Sequence, residues 1–116
     1  MREILRQLNE KAGAVGSMVI TPDGIMVAAV LGERFEEDAM AALASSLLLS
    51  LRRCLSTLGA KGSMKSCTLN ASDGKVIFLD MSNSYLVVVA DQNASLDGDA
   101  DAIQDAIQEI GSRRIA

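Results

Sequence analysis

Residues 85–90 read Tyr85-Leu-Val-Val-Val-Ala90, an unbroken apolar run in a chain of 116 residues. A strand of this composition presents apolar side chains on both faces, which is typical of the middle of a sheet that is covered on both sides. The run Ser17-Met-Val-Ile20 has nearly the same character. Both runs are therefore predicted to be central strands of one sheet.

The other strands are recognised by the turns that separate them. Pro22-Asp23-Gly24 is a turn in which proline fixes φ and glycine permits a positive φ, so it joins two strands as a hairpin. Ser72-Asp73-Gly74 and Asn83-Ser84 are turn signals of the same kind. The five predicted strands are residues 14–21, 25–31, 64–71, 75–82 and 85–90.

Three helices are predicted around these strands. The longest spans residues 36–58, which contain neither Gly nor Pro and stop before Gly59, where a C-cap glycine belongs. A short amphipathic helix over 2–12 ends at Gly13. A last helix over 97–113 begins with acidic residues and ends with basic ones, which suits the helix dipole. The order α-β-β-α-β-β-β-α is that of a single α+β domain covering 1–116.

One face of the predicted sheet is too wide for the helix assigned to it. Five strands at about 4.8 Å spacing give a sheet roughly 24 Å wide, whereas one packed helix covers about 10 Å. The two terminal helices can share one face, and the long helix is then alone on the other. We expect part of that face to be completed by another polypeptide, although sheet twist would reduce the uncovered area.

The long helix carries more apolar residues than one stripe needs. A wide sheet-facing stripe is predicted, and Leu49 is left on a flank with Ala42, Ser45, Arg52 and Ser56. Small residues on that flank would let a second helix approach, so it is interpreted as a subunit seam; the alternative is one exposed leucine, which is common on soluble proteins. The predicted stripe is Met40, Leu43, Ala44, Leu47, Leu48, Leu51, Cys54, Leu55 and Leu58.

Composition excludes several classes of function. The formal charge is −4 and no Lys/Arg cluster exceeds a pair, which argues against nucleic acid as a partner. The longest apolar runs fall far short of the roughly 20 residues of a membrane span, and no secretory leader is recognisable, so a cytoplasmic protein without membrane insertion is expected.

The sequence also contains few residues in the patterns that catalytic or metal sites require. The chain has no His, which removes the usual general base near neutral pH and a common metal ligand. Cys54 and Cys67 have no metal-type spacing and are interpreted as buried free thiols. The acidic residues Asp97, Asp99 and Asp101 lack the spacing of a calcium loop. We expect no enzyme activity, metal or cofactor.

Several segments taken in order resemble the roadblock / dynein light chain family over nearly the whole chain. The residues that carry the resemblance are Gly16-Ser-Met-Val-Ile-Thr-Pro-Asp-Gly24, the Ala/Leu/Ser-rich helix over 39–58, Asp73-Gly74 before an apolar strand, residues 85–90, and Asp91-Gln-Asn-Ala94. Within the family, the chain is most similar to bacterial members that act on a Ras-like gliding-motility GTPase.

The resemblance implies both a topology and a mode of assembly. It implies a five-stranded antiparallel sheet in the order 2-1-5-4-3, with the long helix on one face and the terminal helices on the other. It also implies a homodimer in which the third strand pairs with its twin, giving a ten-stranded sheet with the long helices side by side. On this basis the predicted dimer interface is Ala42, Ser45, Leu49, Met64, Ser66, Thr68 and Asn70.

The paired helices would then receive a small Ras-like GTPase. Arg34 is a candidate arginine finger, but loop solvation or partner contact is the alternative, and repositioning of the GTPase's own switch residues is the favoured mechanism. A nucleotide-independent structural adaptor and a small-molecule sensor are competing functions. The predicted partner-binding residues are Arg34, Glu37, Ser46, Arg52 and Arg53.

Overall fold

The computed structural model describes residues 1–33, 35–59, 65–72, 74–81, 84–91 and 100–115. The helices and strands occur in the predicted order, and their bounds differ from the predicted ones by a few residues. Ile25, for example, belongs to the hairpin turn and not to a strand. The elements are α1 (Arg2–Ala12), β1 (Gly16–Ile20), β2 (Met26–Leu31), α2 (Glu37–Thr57), β3 (Ser66–Ala71), β4 (Gly74–Asp80), β5 (Tyr85–Asp91) and α3 (Ala100–Ile115).

The five strands form one antiparallel sheet in the order β2-β1-β5-β4-β3. Every residue of β1 is buried, and so is every residue of β5 except Asp91. The predicted topology and the central position of these two strands are confirmed. The apolar runs lie in the middle because only there can both faces of a strand be removed from water.

Alternate residues of the strands supply two separate cores. On one face Val19, Leu86 and Val88 pack with apolar residues of α1 and α3. On the other face Met18, Phe78 and Val87 pack under α2. The period of two along each strand therefore divides the side chains between the layers, and the predicted placement of the three helices is confirmed.

The helix α2 buries less of itself than the sequence predicted. Ala44 and Leu48 are its fully buried residues, and Met40, Leu51 and Leu55 are half-buried beside them. The predicted sheet-facing positions of Leu43, Leu47, Cys54 and Leu58 are wrong, because these four residues are exposed. A straight helix contacts a sheet through a limited arc, and these residues lie to one side of that arc.

The two cysteines also differ from the prediction of buried thiols. Both are free, but Cys54 is exposed on α2 and Cys67 is half-buried on β3. The error for Cys54 has the same origin as the error for the apolar stripe: an apolar residue at helical spacing was assigned to the sheet when its position is on a flank.

The hairpin between β1 and β2 holds α2 at one point of close contact. Gly24 has a φ of 90°, and a Cβ placed on it would lie 2.5 Å from the Cβ of Ser45. The turn is closed by the Thr21 side chain, whose Oγ1 accepts a 3.0 Å hydrogen bond from the Ile25 N–H. This contact joins the hairpin tip to the middle of α2.

We expect Gly24→Ala to lower the free energy of unfolding by about 2–4 kcal/mol, because a positive φ and a steric overlap are both imposed. Urea denaturation measures the change. The double variant Gly24→Ala with Ser45→Gly removes the overlapping Cβ and should recover part of the loss. Equal stability of Gly24→Ala and the wild type would show that this contact is not formed in solution.

Candidate protein-protein interaction surfaces

The first candidate surface is the free edge of the sheet at β3. This strand pairs with β4 on one side, and the described chain places no strand on its other side. The side chains of Ser66, Thr68 and Asn70 are exposed and polar. An open edge is a template for another strand, which proteins ordinarily protect or use.

The alternation of hydrogen-bonded and non-hydrogen-bonded pairs along the β3–β4 ladder shows which residues of β3 direct their backbone N–H and C=O groups to the free edge. The Asp80 N–H donates a 2.9 Å hydrogen bond to the Lys65 carbonyl, and these residues are opposite each other in the register. Hydrogen-bonded and non-hydrogen-bonded pairs alternate in an antiparallel ladder, so Cys67, Leu69 and Ala71 bond to β4. Ser66, Thr68 and Asn70 therefore direct their N–H and C=O groups outward.

The contact between Ser45 and Gly24 fixes how α2 is rotated above the sheet. Residues of a helix advance by about 100° each, so Ser45 and Leu49 lie about 80–120° from the sheet-facing line on one side. That side faces the β1–β2 hairpin, where Gly24 lies. The opposite side therefore faces the β4 and β3 end of the sheet.

Four exposed apolar or thiol side chains occupy that opposite side of α2, which we call the seam flank: Leu43, Leu47, Cys54 and Leu58. Leu43 is 61% exposed, Leu47 41% and Leu58 76%. They lie about 60–120° from the sheet-facing line in the direction of β3. An exposed apolar row on a helix and an open strand edge are both features that favour association with another polypeptide.

A groove of about 320 Å³ lies at the end of the sheet where β3 meets β4. Phe35, Leu69, Val76 and Val89 give it an apolar lining, to which Lys75 adds a charged residue. Leu69 belongs to β3, so the groove is continuous with the open edge. Its volume is large enough to keep the small-molecule hypothesis open.

The second candidate surface is the side of α2 that faces the hairpin, together with the hairpin tip. We call it the outer flank and define it by Ile25, Val27, Leu49, Arg52 and Arg53. All five are exposed. Arg52 and Arg53 lie three and four residues after Leu49, so both border it on the helix surface.

The predicted site residues are divided between these surfaces. Ser66, Thr68 and Asn70 lie together on the β3 edge, whereas Leu49, Arg52 and Arg53 lie together on the outer flank. Glu37 is exposed at the start of α2, away from both groups, whereas Ser46 is exposed three residues before Leu49 and therefore borders the outer flank. Arg34 and Met64 lie outside the described residues.

The assignment of Ala42, Ser45 and Leu49 to the dimer interface stays a prediction, and the structure shows the surroundings of these three residues. Ser45 is half-buried against Gly24 of its own chain, and its Oγ donates a 3.3 Å hydrogen bond to the Ala42 carbonyl. Ala42 and Leu49 are exposed, but they do not lie on the β3 side of the helix. Sequence reasoning missed the seam flank, although a stripe of nine apolar residues was wider than one sheet contact could bury.

The described residues contain no group of three or more His, Cys, Asp or Glu side chains placed to hold a metal ion. The helix α2, Glu37–Thr57, is long and apolar enough to cross a bilayer by length and composition alone, and 11% of its apolar 18-residue window is buried. An exposed apolar helix of this kind equally suits contact with other protein surfaces.

Comparison with known sequences identifies the domain. The family model of the Roadblock/LC7 domain matches residues 1–90. The chain is similar to the uncharacterized protein MJ0714 of Methanocaldococcus jannaschii, with 29% identity over 93 residues, 80% of this chain and 78% of that protein.

Solved structures share the fold at lower sequence identity. The chain is similar to MglB of Myxococcus xanthus, with a TM-score of 0.83, 14% identity, and coverage of 94% of this chain and 83% of that one. A Roadblock/LC7 domain from Streptomyces avermitilis gives a TM-score of 0.82 with 16% identity, covering 100% of this chain and 98% of that one. With the matched family domain, the strand order and the helix placement in agreement, the chain belongs to the Roadblock/LC7 domain family.

Proposed function

We propose that this protein is a non-catalytic homodimeric regulator of a small Ras-like GTPase and acts in the cytoplasm. The observations that carry the proposal are the open β3 edge and the exposed seam flank, which lies on the side of α2 opposite the β1–β2 hairpin. Both features favour association with a partner polypeptide, because unpaired backbone groups and exposed leucines are typical of interaction surfaces.

In the proposed dimer, β3 pairs antiparallel with β3 of a second copy. Thr68 is the middle one of the three β3 residues that direct backbone groups outward. A β3–β3 ladder that includes two or more of these residues from each copy therefore includes Thr68. The seam flanks of the two α2 helices then come together above the joined sheets. Burial of Leu43, Leu47 and Leu58 would add hydrophobic stabilisation at about 25 cal/mol per Å² of apolar surface.

The choice of a GTPase as the partner is supported by family membership. The resemblance noted in the sequence is to members that act on a Ras-like gliding-motility GTPase, and a similar fold is that of the gliding protein MglB from Thermus thermophilus. The absence of His from the whole chain agrees with a role in binding rather than catalysis. Any effect on hydrolysis would come from repositioning the GTPase's switch residues.

We expect the dimer to distinguish the two nucleotide states of its GTPase. A Ras-like GTPase from the same genome, loaded with GDP or with a non-hydrolysable GTP analogue, should bind with dissociation constants that differ by at least about tenfold, a typical coupling. Isothermal titration calorimetry measures both constants. Absence of binding in either state would contradict the proposed function.

A structural adaptor is the second candidate function. It is favoured by the fact that the β3 edge and the flanks of α2 suit association without any nucleotide-sensing group. One similar structure is described as MglB with a tetrameric arrangement, which is an assembly larger than a dimer. Equal affinity for the two nucleotide states in the titration above would support the adaptor in place of the regulator, because equal binding cannot shift a nucleotide-dependent equilibrium.

A further inference from the structure

We propose that the outer flank is the surface on which the GTPase docks, and that it receives an apolar patch bordered by acidic side chains. This inference rests on the proposed function, because it takes the GTPase as the partner. It departs from the sequence prediction, which named only polar and charged residues for partner binding, by centring the docking site on the β1–β2 hairpin tip and Leu49.

The apolar centre consists of three exposed side chains from two elements. Ile25 is 64% exposed, Val27 51% and Leu49 50%. The contact between Gly24 and Ser45 brings the hairpin tip to the turn of α2 that precedes Leu49. Ile25 follows Gly24 in the chain and Leu49 lies one helical turn after Ser45, so the two residues flank this contact, and clustered exposed apolar residues mark protein interaction sites.

Dimerisation through β3 leaves this surface uncovered. Packed helices lie about 8–10 Å apart, so a second α2 on the seam flank covers one side of the helix. The outer flank is on the opposite side and faces away from the second copy. Its exposed apolar area is therefore available to a different partner.

The charged residues beside the apolar centre indicate which charge the surface of the partner should carry. Arg52 and Arg53 are exposed, and the described residues provide no ion-pair partner for either. They are the charged residues of α2 after Asp38, in a chain whose net charge is −4. Asp23 at the hairpin tip is the acidic residue on this surface. Acidic groups on the partner would pair with the two arginines and orient it.

The test measures binding of the same purified GTPase, in its tighter-binding nucleotide state, to variants of the outer flank. Ile25→Asp and Leu49→Asp should each weaken binding at least about 30-fold, which is the scale of an interface hot spot. The double variant Arg52→Glu with Arg53→Glu should weaken binding and remove most of its salt dependence. Arg2→Glu, an exposed charge reversal on α1, is the matched control and should leave binding unchanged.

The outcomes separate this inference from the proposed function. Wild-type binding with no loss in the Ile25→Asp and Leu49→Asp variants would overturn the docking site and leave the GTPase role intact. No wild-type binding would overturn the proposed function and the inference with it. Circular dichroism and solution mass should show that the variants remain folded dimers, since all the substituted residues are exposed.

Discussion

Thr68→Pro should convert the dimer into a folded monomer. The Thr68 N–H points away from β4, so proline at this position removes no hydrogen bond from the sheet of its own chain. In the dimer it would remove one N–H from each protomer and leave carbonyl groups of the partner unpaired. Each buried unpaired group costs about 1–3 kcal/mol, so we expect the dimer dissociation constant to rise at least about 100-fold.

Leu69→Pro is the matched control for that experiment. The Leu69 N–H bonds to Val76 in β4, so proline there breaks the intramolecular ladder and should lower stability by about 3 kcal/mol. The two neighbouring prolines should therefore separate assembly from folding. A Thr68→Pro variant that unfolds like Leu69→Pro, or that still dimerises like the wild type, would contradict the assigned hydrogen-bond phase.

The second large effect is expected on the seam flank. Leu47→Asp, and separately Leu43→Asp, would bury two symmetry-related carboxylates between the paired helices. An unpaired charge in an interface costs several kcal/mol, so each substitution should weaken dimerisation at least about 100-fold. Both residues are exposed in the single chain, so its thermal stability should change little. Light scattering over a dilution series measures the dissociation constant.

Leu49→Asp makes this experiment specific to one side of α2. It places the same charge on the same helix, at a residue with comparable exposure, but on the flank that the sequence prediction had assigned to the dimer. We expect this variant to dimerise like the wild type. If it dissociates while Leu47→Asp does not, the sequence prediction is right and the seam lies on the outer flank.

The fold was predictable because its signals are local and repeat along the chain. Residues 85–90 are apolar at every position, which indicates a strand covered on both sides, and the structure buries them all. The turn at Asp23-Gly24 and the uninterrupted helix before Gly59 are likewise encoded by single residues with restricted backbone behaviour. Strand order followed from the family resemblance, with support from the polar composition of residues 64–71.

The candidate site was predicted less completely, because it depends on how elements are rotated against each other. Periodicity groups Leu43 and Leu47 with Ala44 and Leu48, and only the contact of Ser45 with Gly24 shows where the sheet-facing arc ends. The pattern of apolar and polar residues in the sequence of one helix does not contain that rotation.

The outer flank was missed for a related reason. Ile25 and Val27 lie in sequence beside a turn and a strand, where an apolar residue is ordinarily assigned to the core. Ile25 is exposed in the hairpin turn, and Val27 is exposed where the β1–β2 register shifts between Val19 and Ile20. A bulge of this kind redirects side chains, and no residue in the sequence of the hairpin predicts it.

The mass of the unmodified protein in solution tests the central claim most directly. Sedimentation equilibrium from low micromolar to near-millimolar concentration should give twice the chain mass of 12.2 kDa, and Thr68→Pro should return it to a single chain. A wild-type protein that stays at 12.2 kDa over the whole range would contradict self-association through β3 and the seam flank.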